Sequence, residues 1–197
     1  MAPVMFTDIV GSSALAEALG DCICMQTVQA HLDLASRVIT AHGGQMVKSL
    51  GDGTMSSFPS ARAALAAAQE LRAANQGLET EPALSLRLGI HSGDVIQTED
   101  DFFGTVVNKD ARLTSVAEPD EILVSETTRL LAGGKRSFAF TDPREVALKG
   151  LPGQHVVFPL HRNSDMASHC NPKQQAKQGK ISQATRNSLL LVPNTPG

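Results

Sequence analysis

The sequence contains neither tryptophan nor tyrosine, and only three of its 197 residues are cysteine. The chain therefore has few of the aromatic rings on which nucleic-acid bases usually stack. Its formal net charge of −3 provides no basic surface for a polyanion. These absences argue against a nucleic-acid-binding protein.

Long apolar runs are also missing. No segment approaches the ~20 apolar residues of a membrane-spanning helix, and the start, MAPVMFTDIV, lacks the basic region of a signal peptide. We therefore predict a cytoplasmic protein without a membrane segment. Cys22 and Cys24 are too close for a typical zinc site, and with Cys170 they are odd in number, so free thiols are expected.

The composition nevertheless suffices for one folded domain, with 42% hydrophobic and 19% charged residues. Residues 1–162 carry the apolar patterns, and we predict that they form this domain. Residues 163–197 are polar, rich in Gln, Asn and Ser, and without apolar periodicity, which predicts a disordered tail. The first strand begins at the N-terminus, so no preceding sensor domain is expected.

Apolar periodicity predicts the order of strands and helices. The predicted elements are a strand over 3–10, helices over 14–42 with a break near Gly20, strands over 45–50 and 54–58, a helix over 60–75, a strand over 84–97, a helix over 105–117, a strand over 121–125, a helix over 125–132, and a strand, turn and strand over 138–160. This order predicts an α+β fold with a ferredoxin-like split βαβ core, palm-like, and extra C-terminal strands. The two long helices should cover one face of its sheet.

Two carboxylates lie where predicted strands end. Asp8 closes the first strand, and Asp52 stands between two glycines at the tip of the hairpin. In a split βαβ sheet the first strand lies beside this hairpin, so both carboxylates can converge. Such ligands suit Mg²⁺, which takes one or two carboxylates together with substrate phosphates. The alternative is that each is an ordinary turn or cap residue.

Two further groups could contact a nucleotide. Gly11, Ser12 and Ser13 supply helix-cap chemistry after the first strand, and free backbone N–H groups there would suit a polyphosphate. Asn108 and Arg112 are four residues apart and share one helix face, where they could position a sugar and stabilise phosphate charge. A simple hydrogen bond on the helix surface would also explain the second pair.

Four segments, FTDIVGSS, KSLGDGTM, GIHSGDV and DDFFGTVVNKDAR, resemble in order and spacing the class III nucleotidyl cyclase catalytic domain. The resemblance covers about residues 3–160 and implies the cyclase homology fold. It also implies a role for each candidate: Asp8, Ile9 and Asp52 bind two Mg²⁺ or Mn²⁺ ions per site, Lys48 and Asp101 contact the purine, Gly11, Ser12 and Lys149 contact phosphates, Asn108 orients the ribose, and Arg112 stabilises the transition state.

The activity that the resemblance implies is that of an adenylate cyclase, which converts ATP to 3′,5′-cyclic AMP and pyrophosphate by metal-assisted attack of the ribose 3′-hydroxyl on the α-phosphate. Two chains are expected to pack head to tail as a homodimer. One chain supplies the metal aspartates. The other supplies the base-contacting residues together with Asn108 and Arg112.

Hydrogen bonding favours ATP over GTP. Lys48 can only donate and the Asp101 carboxylate can only accept, which complements N1 and N6 of adenine and not guanine. Guanylate cyclases of this family carry Glu and Cys-like residues at these places. Asp100, next to Asp101, remains an alternative acceptor.

Some features depart from the family pattern, and other functions compete. Lys109 and Asp110 stand where the family usually has small or apolar residues, and near a dimer seam this pair would alter packing. His91 is not expected to be a general base, because metal can activate the hydroxyl. The alternatives are a guanylate cyclase, a non-catalytic nucleotide-binding or regulatory module, and a cyclic-dinucleotide synthase, whose Gly-Gly-Asp/Glu-Glu-Phe run this hairpin lacks.

Overall fold

The strands and helices follow the apolar patterns closely. A computed structural model describes them over residues 1–78, 83–94, 96–97, 102–103, 105–133 and 138–161. The elements are β1 (Ala2–Ile9), α1 (Ser12–Leu19), α2 (Asp21–Ala41), β2 (Gln45–Ser49), β3 (Thr54–Ser57), α3 (Ala61–Gln76), β4 (Leu86–Gly93), β5 (Ile96–Gln97), β6 (Phe102–Phe103), α4 (Thr105–Ser115), β7 (Ile122–Ser125), α5 (Glu126–Leu131), β8 (Arg144–Ala147) and β9 (Gln154–Pro159). Asp101 and the predicted tail 163–197 lie outside the described residues.

Seven strands form one sheet in the order β2-β3-β1-β4-β7-β9-β8. β4 and β7 run parallel, and the other neighbours in this sheet run antiparallel. The predicted α+β, split βαβ fold with extra C-terminal strands is confirmed. The hairpin of β2 and β3 lies beside β1, as expected, so the end of β1 and the hairpin tip are neighbours.

Helices cover the two faces of the sheet unequally. On the first face, α2 and α3 pack on an apolar cluster that includes Met5, Leu86, Leu88 and Ile90. These β-strand residues alternate with side chains of the other face, as period-two patterning requires. The predicted cover by the two long helices is therefore confirmed. The second face, which we call the α4 face, carries Phe6 and a smaller cluster beneath α4.

A glycine on β4 determines how closely α4 approaches the sheet. A Cβ atom at Gly89 would lie 2.8 Å from the backbone nitrogen of Thr114 and 2.9 Å from the carbonyl oxygen of Asp110, and it would overlap the Thr114 hydroxyl. Side chains cannot occupy that space without a shift of the helix. Gly89 thus allows direct backbone contact between β4 and α4.

Several predicted boundaries are wrong, among them the start of the last strand pair, whose first strand begins at Arg144 and not at residue 138. The strand predicted over 84–97 ends at Gly93, and Ile96–Gln97 pairs instead with Phe102–Phe103 in a separate two-stranded sheet. Gly93 and Asp94 have a low strand propensity, so the strand ends there although apolar residues follow. The helix predicted from residue 14 begins at Ser12.

Among the described residues, no helix combines the length and the apolar character that crossing a bilayer requires.

Candidate functional site

Asp8 and Asp52 are held by neighbouring strands that are joined through two buried threonines. Thr7 and Thr54 are direct partners in the β1–β3 register. The backbone N–H of Thr54 donates to the Thr7 hydroxyl at 2.9 Å, and the two hydroxyl oxygens lie 3.0 Å apart. Asp8 directly follows Thr7, and Asp52 precedes Thr54 by two residues. Both carboxylates therefore leave the sheet at the same end.

The charge of one aspartate affects the other. Burial, followed by the negative charge of Asp52, raises the pKa of Asp8 above its usual 3.8, and the charge of Arg87 opposes this rise. The Arg87 guanidinium lies on the adjacent strand β4, with Nη1 3.7 Å from Asp8 Oδ2. Two carboxylates that repel each other suit a divalent cation, which would relieve that repulsion.

The described residues alone supply few ligands for such an ion. Among them, no group of three or more His, Cys, Asp or Glu side chains is close enough to hold a metal. Ile9 has a hydrocarbon side chain without a donor atom, so this residue could ligate only through its backbone carbonyl oxygen. The donor set fits Mg²⁺ or Mn²⁺, which bind a few protein oxygens together with water and substrate phosphates.

The helix that follows Asp8 begins without a side-chain cap. Gly11 is the N-cap in a left-handed conformation, with φ 69°, and no side-chain hydrogen bond caps this helix. The prediction that Gly11, Ser12 and Ser13 supply the cap is therefore confirmed for Gly11 and wrong for the two serines, which lie within the first turn. The first-turn N–H groups remain suited to an anion. Ser12, Ser13 and Asp52 line one cavity of about 410 Å³.

A β-bulge determines where Lys48 lies. Met46 pairs with Ser56, but Lys48 pairs with Met55, so β2 contains one extra residue at Val47. Regular pairing would have placed Lys48 opposite Thr54, on the face covered by α2. The bulge moves it to the α4 face, which also carries Phe6 and Met55.

The remaining candidates lie elsewhere. Asn108 and Arg112 are exposed on α4, consistent with the predicted shared helix face. Lys149 is exposed in the turn between β8 and β9, and β8 is the opposite edge strand from β2. Within one chain, the structure thus groups the two aspartates and Ser12 but leaves Lys149 across the sheet from them.

The comparison with protein families decides the assignment. The model of the adenylate and guanylate cyclase catalytic domain matches residues 2–162. The chain belongs to this family. An adenylate cyclase of Streptomyces coelicolor is 36% identical over 121 residues, which cover 61% of this chain and 31% of that protein. The cyclase domain described here thus spans about a third of the length of that curated relative.

Solved structures agree with this assignment. Adenylate cyclases from Trypanosoma brucei, described in their monomeric state, align with a TM-score of 0.75 and 25% identity over 81% of this chain and 88% of theirs. An adenylate/guanylate cyclase/hydrolase from Silicibacter pomeroyi aligns with a TM-score of 0.70 and 29% identity over 82% of this chain and 96% of that chain. Both support the cyclase fold over the described residues.

Sequence reasoning missed Arg87 and the two threonines of the cyclase domain. Arg87 is a charged residue between Leu86 and Leu88, which shows only that it faces away from the α2–α3 core. Its proximity to Asp8 depends on the β1–β4 register, in which the two residues are direct partners. That register could not be derived from either strand alone.

His91 is a buried, hydrogen-bonded residue of this cyclase domain. Its Nδ1 lies 2.8 Å from the Ser125 hydroxyl, and only 8% of the residue is exposed. Burial, then the charges of Lys109 and His155, lowers the pKa of His91 to about 4. The imidazole is therefore neutral at pH 7, and its hydrogen bond links β4 to the start of α5.

Another cavity formed by described residues is larger, and none of the predicted site residues is among those that line it. It has a volume of about 580 Å³ and is lined by Arg129 and by Phe138, Phe140 and Phe158, among others. The guanidinium of Arg129 lies over the Phe158 ring, 4.4 Å from its centroid. We place the candidate site by its donor chemistry, at the smaller cavity and the end of β1.

The repulsion between the carboxylates of Asp8 and Asp52 should affect the stability of the domain. Without divalent metal, Asp8→Asn should raise the Tm at pH 7 by no more than about 2 °C, because the Asp8 side chain is 40% exposed and solvent screens much of the repulsion. Because the pKa of Asp8 is raised in the folded state, the stability associated with its neutral form is lost as pH rises through that pKa. The gain should therefore vanish near pH 4.

Thermal unfolding with a chelator, followed across pH, measures this effect. Excess Mn²⁺ should reverse the order, because it stabilises the protein that retains both carboxylates. Asp33→Asn, which removes an exposed carboxylate from α2, serves as the control. An Asp8→Asn variant that is less stable than the parent at pH 7 without metal would contradict the prediction.

Proposed function

We propose that this chain is the catalytic domain of an adenylate cyclase, which forms 3′,5′-cyclic AMP and pyrophosphate from ATP. The observation that carries the proposal is the convergence of Asp8 and Asp52 beside the uncapped start of α1, in a chain of the cyclase family. In the reaction the ribose 3′-oxygen attacks the α-phosphorus, the bond to the β-phosphate breaks, and pyrophosphate leaves.

The first group of residues would hold the metals and the triphosphate. Asp8, Asp52 and the carbonyl of Ile9 would bind two Mg²⁺ or Mn²⁺ ions, which when bound supply charge neutralisation and activate the hydroxyl. The N–H groups after Gly11 and at Ser12 would donate to phosphate oxygens. Nε of Arg87 is buried and has no hydrogen-bond partner among the described residues, so the guanidinium retains a donor beside Asp8.

The second group would hold the base and the ribose and stabilise the transition state. Lys48 would donate to adenine N1 and Asp101 would accept from N6. Asn108 would orient the ribose for in-line attack. Arg112 would stabilise charge that develops on the α-phosphoryl oxygens, and Lys149 would contact the terminal phosphates.

A second copy of the chain would complete the site. Lys149 lies at the opposite edge of the sheet from the β2–β3 hairpin, so one chain cannot easily bring it to a triphosphate at Asp52. A head-to-tail homodimer would place the second group of one chain against the first group of the other. Such a dimer closes with two equivalent sites.

A guanylate cyclase is the second candidate, because the family includes both activities. The chemistry of Lys48 and Asp101 favours adenine. A non-catalytic module is less well supported, because the described positions Asp8, Asp52, Asn108 and Arg112 all retain the residues that the reaction needs.

Substrate choice tests the proposal directly. Purified protein with Mn²⁺ or Mg²⁺ should form cyclic AMP from ATP and less cyclic GMP from GTP. The double variant Lys48→Glu with Asp101→Cys should raise the GTP-to-ATP activity ratio at least about tenfold, because it exchanges the donor and acceptor pattern. Chromatography of the cyclic products measures both rates.

Lys48→Glu with Asp100→Cys is the matched control, since it changes the neighbouring acid. If this control shifts the ratio as strongly, Asp100 is the acceptor and the assignment of Asp101 is wrong. If neither nucleotide is cyclised at high protein concentration with either metal, the enzyme proposal fails.

A further inference from the structure

Asp110 is an acidic residue whose position the catalytic proposal does not explain. It lies on α4, between Asn108 and Arg112, but its side chain faces the sheet and the residue is 0% exposed. Lys109 beside it is half-buried. Asp110 therefore lies in the interior of the chain, and the effect of this pair on a dimer seam stays a prediction.

The carboxyl group of Asp110 has no adequate partner. Neither of its oxygens accepts a hydrogen bond from the described residues. The backbone N–H of His91 on β4 lies near the group and favours its charged form, but the contact falls short of hydrogen-bond geometry. Burial is the larger influence and raises the pKa of Asp110 well above its usual 3.8.

Among the described residues, no charged side chain is recorded as a partner of this carboxyl group. The elements packed against α4 are β4, β1, β7 and β6, with the β8–β9 hairpin at its end. β7 and β6 contain no titratable side chain. The described groups on this side of the sheet that are charged or titratable are Lys48 on β2, Arg87 and His91 on β4, Asp8 on β1, Arg144 on β8, His155 on β9, and Lys109 and Arg112 on α4 itself.

Several of these groups are already engaged. Arg87 faces Asp8, Arg144 binds Glu121 at 2.7 Å, and His91 is neutral at pH 7 because burial lowers its pKa to about 4. Arg112 is exposed on the opposite side of the helix from Asp110. An ionised Asp110 would therefore be a buried charge that accepts no hydrogen bond from the described residues, which is strongly unfavourable.

Asp110 has no contact with solvent while α4 packs against β4. The helix lies against Gly89, where even a Cβ atom would approach the Asp110 carbonyl to 2.9 Å. The Thr114 hydroxyl fills the same space and donates to that carbonyl at 3.1 Å. Solvation of an ionised Asp110 thus requires that α4 move away from β4.

We propose that Asp110 is a positioning residue that couples proton binding to the seating of α4, and through α4 to Asn108 and Arg112. The neutral acid fits the closed contact between α4 and β4. Ionisation favours an opened arrangement in which both exposed side chains leave their places. The inference rests on the proposed function, because that proposal assigns the catalytic roles of Asn108 and Arg112.

Hydrogen exchange tests the coupling without any need for activity. If Asp110 ionises only when α4 opens, the opening equilibrium should rise about tenfold per pH unit between the ordinary carboxyl pKa and the raised one. Amides of residues 108–115 should show this increase beyond the intrinsic pH dependence of exchange. In Asp110→Asn, which is neutral at every pH, the extra dependence should disappear.

Activity provides the second measurement. The kcat of the parent should fall at high pH, and that alkaline decline should be absent from Asp110→Asn and from Asp110→Ala. Asp33→Asn, an exposed carboxylate on α2, should behave like the parent. Identical pH dependence of exchange in the parent and Asp110→Asn would overturn the inference, even in a protein without cyclase activity. If exchange shows the coupling and no activity is found, only the proposed function fails.

Discussion

A mixture of Asp52→Ala and Arg112→Ala proteins should regain about a quarter of the wild-type cyclase activity, although each variant alone is inactive. The reason is the division of the site between two chains. Random exchange makes half of the dimers mixed, and each mixed dimer contains one complete site of two. Each single variant should lose at least about 10² in kcat, because it removes a metal ligand or a transition-state contact.

Cyclic AMP formation by the unfractionated co-refolded mixture measures the recovery, and two different tags on the chains confirm that mixed dimers have formed. A mixture of Asp8→Ala and Asp52→Ala is the matched control, since both substitutions affect the same group and no mixed dimer has an intact pair. Recovery in this control, or its absence in the first mixture with mixed dimers confirmed, would argue against a shared site.

Gly53→Ala should reduce Mn²⁺ affinity at least about tenfold and lower the free energy of unfolding by about 1–3 kcal/mol. An added Cβ would overlap the carbonyl oxygen of Thr7 and lie 3.3 Å from Cα of Asp8. These are backbone atoms, so the clash is relieved only if the hairpin moves away from β1. That movement separates Asp52 from Asp8.

Gly51→Ala is the control for this substitution. Gly51 has φ 85°, and a Cβ there would meet no atom within 4 Å. The variant should lose about 1–2 kcal/mol because of its left-handed conformation, yet retain metal affinity. Calorimetric Mn²⁺ titration with thermal unfolding distinguishes the two. Equal affinity losses in both variants would show that general destabilisation, rather than the β1 contact, governs the site.

Much of the fold follows from local patterns. The alternation of Leu84, Leu86, Leu88 and Ile90 predicted a half-buried strand, and all four are buried against α2 and α3. The hairpin around Asp52 followed from its glycines, and the place of β1 beside it followed from the split βαβ order. These features depend on short-range chemistry and on a small set of possible topologies.

The features that the sequence did not reveal depend on tertiary contact. A charged residue on a helix usually faces water, so the burial of Asp110 could not be predicted; the glycine on the facing strand brings that side of α4 against the sheet. Arg87 and Asp8 meet through a register that neither strand specifies alone. Ser12 and Ser13 resemble caps in sequence, but the left-handed Gly11 begins the helix before them.

The bulge at Val47 affects which changes in the length of β2 this chain can tolerate. Val47 is the residue that β2 has in excess of β3, and the bulge accommodates it while Met46 and Lys48 stay opposite Ser56 and Met55. Deletion of Val47 would therefore leave Lys48 on the α4 face in a regular ladder. A change of one residue between Lys48 and the hairpin tip would instead transfer the lysine to the opposite face, so the position of a length change matters as much as substitution of the lysine itself.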